Sequence, residues 1–264
     1  MLGKLVRFDI RSTWRSFAGI YLSIILGVII VSLIFKSIMV AGFVAFAISV
    51  TVIVVMILNL FRLFNTSVFS KEGYLTLTLP VTSGQIVVSK LIVSTMWIVL
   101  TAIVSILGLY IFVWSIRIIE SPFALFPHIR EIISLLDYES AITLILLILV
   151  VLTTCVKEMA KLFLACSIAH LKQLYRLRII VGILSLFVLS WLEVFVVQQI
   201  ARFVSMIWPK AEELLELLSS PISAKQHFAL FNGFLSVSII YAIVLIAAFS
   251  LGVVWIMNNK LDLD

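Results

Sequence analysis

Three groups of residues in this 264-residue chain could do chemistry, and two of them carry charge where charge is costly. The first is Glu193, the one acidic residue deep in a clear apolar run, with Trp191 before it and Gln198-Gln199 behind. A carboxylate in such a run must be paired, protonated or wetted. It reads either as part of the wall of a wet cavity, with Gln198 beside it, or as an interface carboxylate hydrogen-bonded to a neighbouring helix. The second group, Lys157, Glu158 and Lys161, interrupts another apolar run. Lys157 and Lys161, four apart, share a helical face that must turn toward protein or water. The plainer alternative is a cluster snorkelling to the inner headgroups. The third group is the polar stretch Lys71-Glu-Gly-Tyr-Leu-Thr-Leu-Thr-Leu-Pro-Val-Thr-Ser-Gly-Gln-Ile-Val-Val-Ser-Lys90. A loop of that composition sits in water and is a place for a soluble partner to dock.

Within that stretch each residue type has a physical use. Gly73 lets a partner surface approach the backbone closely or lets the chain turn with positive φ. Tyr74 and Leu75 are an aromatic and an aliphatic anchor, the types that dominate small interfaces. Glu72 offers a charge to a basic partner, worth only about 0–1 kcal/mol if exposed. Pro80 ends the element that holds Leu79, and Thr82 with Gln85 forms a capping box that starts a new helix. From Tyr74 to Leu79 apolar and Thr residues alternate, a strand-like period.

Catalytic constellations are not visible. No Gly-x4-Gly-Lys-Ser/Thr run is present to bind ATP. His128, His170 and His227 are scattered and fit no zinc motif, and no Gly-x-Ser-x-Gly elbow occurs. The expectation is a protein that is not an enzyme and holds no metal or cofactor of its own. Cys155 and Cys166 lie eleven apart in one helical run, about 16 Å along the axis and too far for a disulfide. They read as ordinary buried small residues.

The elements that position these groups follow from composition. Hydrophobic residues make up 63% of the chain and charged ones 12%, half the share of about 25% in soluble domains. Apolar runs of membrane-spanning length recur, which selects helices over a barrel. The expected fold is an all-α integral membrane protein with six transmembrane helices, an N-terminal interfacial helix and short outer amphipathic helices. Spans are expected at 17–35, 38–60, 91–115, 141–169, 179–200 and 231–257, in a single membrane domain covering residues 1–264. The fourth span either ends at 156 with an interfacial helix behind it or runs on as one helix, and with no Gly or Pro between 141 and 171 the continuous helix is the expectation. Residues 129–136 and 209–219 read as outer helices. The first apolar run lacks a cleavage site, so it is expected to remain as a span.

In residues 1–16, Lys4, Arg7, Arg11 and Arg15 recur at helical spacing on one face, with Leu2, Leu5, Val6, Ile10 and Phe17 available to the other. That is the pattern of a helix on an anionic leaflet, and a plain positive-inside flank gives the same topology. With both termini inside, thirteen of the nineteen Lys and Arg residues fall on the inner side, as the positive-inside rule requires. The excess of positive charge thus tracks the ends of spans and is not a nucleic-acid signal.

Arg62-Leu-Phe, then Glu72-Gly-Tyr-Leu-Thr-Leu-Thr-Leu-Pro-Val-Thr, Gln85, Ser89-Lys90-Leu91 and Trp97 resemble a family of bacterial ABC transporter permeases of the type-2 exporter class, in particular small six-span permeases of Gram-positive bacteria. The ending Asn259-Lys-Leu-Asp-Leu is similar too. The resemblance implies a permease that pairs with a second, identical or related one in the bacterial cytoplasmic membrane, both termini cytoplasmic. Residues 71–82 would be a coupling helix docked on separate ATPase subunits, which would carry ATP and Mg. Glu72, Gly73, Tyr74, Leu75, Leu79 and Pro80 would make that contact. Glu193, Gln198, Lys157, Glu158 and Lys161 would then line the translocation cavity. The rival from another class is a non-transporting membrane sensor or assembly scaffold; a membrane-embedded enzyme lacks the motifs.

Overall fold

A computed structural model of the chain describes residues 2–34, 81–115, 137–171, 177–207 and 224–259, with a scatter of helical residues between 42 and 61. The described chain contains five long helices: α1 (Leu2–Ile34), α2 (Ser83–Ser115), α3 (Tyr138–Ala169), α4 (Arg178–Ile207) and α5 (Ala224–Asn259). Each includes a stretch apolar and long enough to cross a bilayer. At 1.5 Å per residue they run about 45–54 Å, against a hydrocarbon core of about 30 Å. The chain is a multi-pass membrane protein. The sites expected at residues 71–80 and the outer helices expected at 129–136 and 209–219 lie outside the described residues.

Local signals explain where helices begin and continue. Before α2, the Thr82 hydroxyl accepts a long hydrogen bond from the Gln85 N–H (3.4 Å), the N-cap half of the box read from sequence. α3 runs unbroken through Lys157, Glu158 and Lys161, because nothing in it removes a backbone donor or clashes with the preceding turn. α1 is likewise continuous across residues 16 and 17. The segment expected to form an interfacial helix is therefore the first part of the same helix that carries the apolar span.

The chain divides into two compact units, Met1–Leu135 and Leu136–Asp264. In the first, α1 and α2 pack side by side and parallel, since contacting residue numbers rise together. The Trp97 indole N–H donates to the Thr13 hydroxyl (3.0 Å). Phe17 stacks on Trp97 with ring centroids 4.3 Å apart and planes 3° from parallel. Farther along, Gly108 faces Ile24, where an added Cβ would lie 3.3 Å from the Ile24 Cγ2. At the far end the Ser115 hydroxyl donates to that of Ser32 (2.9 Å). Small residues and interhelical hydrogen bonds are what hold helices together where lipid is as apolar as leucine.

In the second unit α3 is the shared element. α5 runs parallel to it: the Thr143 hydroxyl donates to Asn232 Oδ1 (2.7 Å), and Gly252 packs under the tip of Leu164. α4 runs antiparallel: Ser185 donates to the Ala165 carbonyl (3.4 Å), and a Cβ at Gly182 would lie 3.5 Å from that of Ala169. Most of α4 is exposed and apolar, including Phe187 and Trp191, the surface expected of a helix with lipid or another membrane helix on that side.

Candidate functional site

Two polar clusters bridge helices in the described structure. One was grouped from the sequence and one was not.

The cluster in the second unit is built on α3 and α4. Lys157 and Lys161 project one helical turn apart, and Glu193 on α4 reaches between them. Lys157 donates to Glu193 Oε1, and Lys161 donates to Glu193 Oε2 at 3.1 Å. Glu158 closes the figure from the other side, with Oε1 3.3 Å from Lys157 and Oε2 2.7 Å from Lys161. The four side chains form a ring in which each carboxylate spans both ammonium groups, so the net charge is zero. That satisfies the requirement that buried charges be paired. The ring is not sealed: the Glu193 side chain is 12% exposed and that of Glu158 is 42% exposed. Tyr241 on α5 lies within electrostatic reach of Glu193, Lys157 and Lys161. Its hydroxyl is buried and has no hydrogen-bond partner among the described residues. The ring joins α3 to α4 roughly midway along α4.

Of the five residues grouped from sequence, four form the ring. Gln198 does not: it is exposed, and five positions from Glu193 on a helix is a turn of about 140° away from the α3 side. The expectation that Glu193 must be paired, protonated or wetted resolves to pairing within one chain. Glu158 is the member of the ring least covered by the rest of the chain.

The cluster in the first unit was missed by sequence reasoning. Asp9 on α1 accepts from Lys90 on α2, with side chains 3% and 2% exposed. The Ser89 hydroxyl donates to the Ile86 carbonyl at 2.8 Å and lies 3.5 Å from Asp9 Oδ2. Asp9 also anchors its own helix, since the Thr13 hydroxyl donates to the Asp9 carbonyl (2.8 Å) and accepts from Trp97. The available signal was position: Asp9 shares a helical stripe with Leu5, Phe17 and Ile20, all buried, and an acid on that stripe needs a cation.

Lys4, Arg7, Arg11 and Arg15 are all exposed, on the side of α1 opposite that stripe. Neither Cys155 nor Cys166 is in a disulfide; Cys166 is buried and Cys155 is half-buried. No protein-family profile, curated protein or solved structure matches the chain.

Proposed function

We propose that this chain is the membrane-spanning subunit of an ATP-driven exporter of the ABC type-2 class. It pairs with a second permease and couples to separate cytoplasmic ATPase subunits that bind ATP and Mg. The observation that carries the reading is what the resembling motif does inside the molecule. Its C-terminal part is Ser89, Lys90, Leu91 and Trp97, all buried, and Lys90 and Trp97 are among the side chains that fasten α2 to α1. A force applied to residues 71–82 enters α2 at its capped start and reaches α1 within two turns. That is a physical reason for these residue types to follow a coupling segment.

The six-span topology has independent support. A parallel α1 and α2 joined through residues 35–82 require the chain to travel back along the pair before α2 begins, and helical residues occur in that interval. A second span at 38–60 makes the return. With it, the excess of Lys and Arg falls inside, both termini and residues 71–82 are cytoplasmic, and the ATPase binds there. The cavity wall carries the Lys157–Glu158–Lys161–Glu193 ring, where a substrate entering from the cytoplasm or inner leaflet passes. Peptides, lipids and hydrophobic drugs all fit a largely apolar path.

The deciding experiment is the double substitution Tyr74→Ala/Leu75→Ala. It is expected to leave the protein in the membrane while releasing the ATPase on co-purification, or to lower transport per ATP hydrolysed. Full retention with normal coupling removes the loop from this role and the chain from this class.

A further inference from the structure

The exposed arc of α1 is more than a scatter of basic residues. At 3.6 residues per turn, Trp14, Arg7, Arg11, Lys4, Arg15 and Phe8 fall in that order around about one third of the helix circumference. The four cations are flanked on one side by Trp14, 51% exposed, and on the other by Phe8, 66% exposed. Among the described residues none of the four cations has an ion-pair partner. The one acid on α1, Asp9, is turned to the opposite side and consumed by Lys90.

The placement of this arc follows from the continuity of α1. Phe17–Ile34 alone covers about 27 Å, close to the thickness of the hydrocarbon core. Residues 4–15 therefore continue beyond the core into the headgroup layer and the water past it. They do not peel away to lie flat, because Asp9–Lys90 and Thr13–Trp97 hold this part of α1 upright against α2. The cations consequently point sideways, along the membrane surface, at the level where lipid phosphates sit, and their long stems let them reach that level from above.

We propose that this arc is a lateral binding site for anionic phospholipid headgroups. The guanidinium groups of Arg7, Arg11 and Arg15 suit phosphate, which they grip with paired hydrogen bonds. Trp14 and Phe8 insert at the interface, where aromatic rings settle between headgroup and chain. The Asp9–Lys90 pair is the positioning element that turns the arc toward lipid. This inference rests on membrane residence and the geometry of α1, not on the exporter reading, and its test uses neither ATPase nor transport.

The full-length protein is reconstituted in phosphatidylcholine vesicles with spin-labelled phosphatidylglycerol or spin-labelled phosphatidylcholine as the probe. The measured quantity is the relative association of each with the protein. A basic residue beside an anionic leaflet contributes about fivefold in partitioning, so preference for phosphatidylglycerol is expected and should weaken with salt. Lys4→Gln/Arg7→Gln/Arg11→Gln/Arg15→Gln should lower it at least twofold. Arg7→Lys/Arg11→Lys/Arg15→Lys, which keeps the charge, should retain a preference above that of the Gln variant. Phe8→Ala/Trp14→Ala should reduce association of both lipids. An unchanged preference in the Gln variant overturns the site. So does displacement of the labelled lipid by inorganic phosphate beyond a chloride control of equal ionic strength, which marks a small-anion site. Loss of a co-purifying acidic protein with lipid preference intact overturns it in favour of a protein-docking face.

Discussion

Among the described residues Lys and carboxylate meet in two places, once in a closed pair and once in an open ring. Asp9–Lys90 joins α1 to α2 near their starts, with both side chains at most 3% exposed. The Lys157–Glu158–Lys161–Glu193 ring joins α3 to α4 midway along α4, with one carboxylate 42% exposed. The two therefore have different physics. In the sealed pair neither charge has a second charged partner among the described residues, and beside Lys90 only the Ser89 hydroxyl approaches the Asp9 carboxylate. In the ring every charge has two partners, and one carboxylate is only partly covered by the chain. The closed pair fixes register; the open ring can change partners without stranding a charge.

The sharpest way to break this contrast is to remove one half of each cluster. Lys90→Met strands a buried carboxylate and is expected to destabilise the first unit by about 3–5 kcal/mol, read as reduced thermal stability of the purified protein in detergent. Asp9→Leu should do the same. Asp9→Leu with Lys90→Met removes both charges and should recover most of the loss, since apolar replacement of a buried pair is often neutral. If the double variant is as unstable as the sum of the singles, the pair is not a closed unit.

Glu193→Gln is the matching change in the ring. It leaves Lys157 and Lys161 with Glu158, and the amide oxygen can still accept one hydrogen bond. Its expected cost is about 1.5–3 kcal/mol, the worth of charge-assisted hydrogen bonds rather than of an isolated buried charge. Assembly should survive while transport, or substrate-stimulated hydrolysis by the partner ATPase, changes. A mutant that simply fails to assemble makes Glu193 an interface carboxylate and the ring a clasp.

How far these clusters were legible from sequence follows from the kind of information each needs. Lys157, Glu158, Lys161 and Glu193 were grouped because each is conspicuous alone, a charge in an apolar run. Gln198 was grouped with them by proximity in sequence, and helical geometry turns it away. Asp9 stands in sequence among four basic residues that belong to the opposite face of the helix. Its partner is 81 positions away on another helix, and the α1–α2 register that joins them is a tertiary fact with no local signature. The five long apolar helices were legible because hydropathy is local. So was the continuity of α3, since only the absence of Gly and Pro was needed. What could not be read is that the basic segment and the first span are one continuous helix. Amphipathic spacing alone is equally compatible with a helix lying flat.

A smaller effect sharpens the account of the first unit. Trp97 serves α1 twice, by its stack on Phe17 and by the N–H donated to Thr13. Trp97→Phe keeps an aromatic face but deletes the donor, and it is expected to cost about 1 kcal/mol from the hydrogen bond plus some lost area. Adding Thr13→Val should then cost less than it does in the unaltered protein, because the two share one bond. Independent effects of the two changes would mean that the stack alone holds this level of the helix pair.

The smallest expected effect compares the glycines at the two parallel contacts, Gly108 between α1 and α2 and Gly252 between α3 and α5. A Cβ at Gly252 would lie 3.0 Å from Leu164 Cδ1, the far end of a side chain that can swing aside. A Cβ at Gly108 would lie 3.3 Å from Ile24 Cγ2 and 3.6 Å from Val28 Cγ2, methyl groups of β-branched residues whose χ1 is nearly fixed in a helix. The tighter distance is therefore the more tolerant one. Alanine also gains about 0.8–1 kcal/mol over glycine in helix propensity, which offsets a small adjustment but not a displaced helix. Gly252→Ala is expected to leave thermal stability unchanged or slightly raised. Gly108→Ala should lower it by about 1 kcal/mol, within the lower part of the range for overpacking. Equal responses at the two sites would mean that α1 can shift as easily as a leucine tip. The first unit would then not be the rigid member of the comparison.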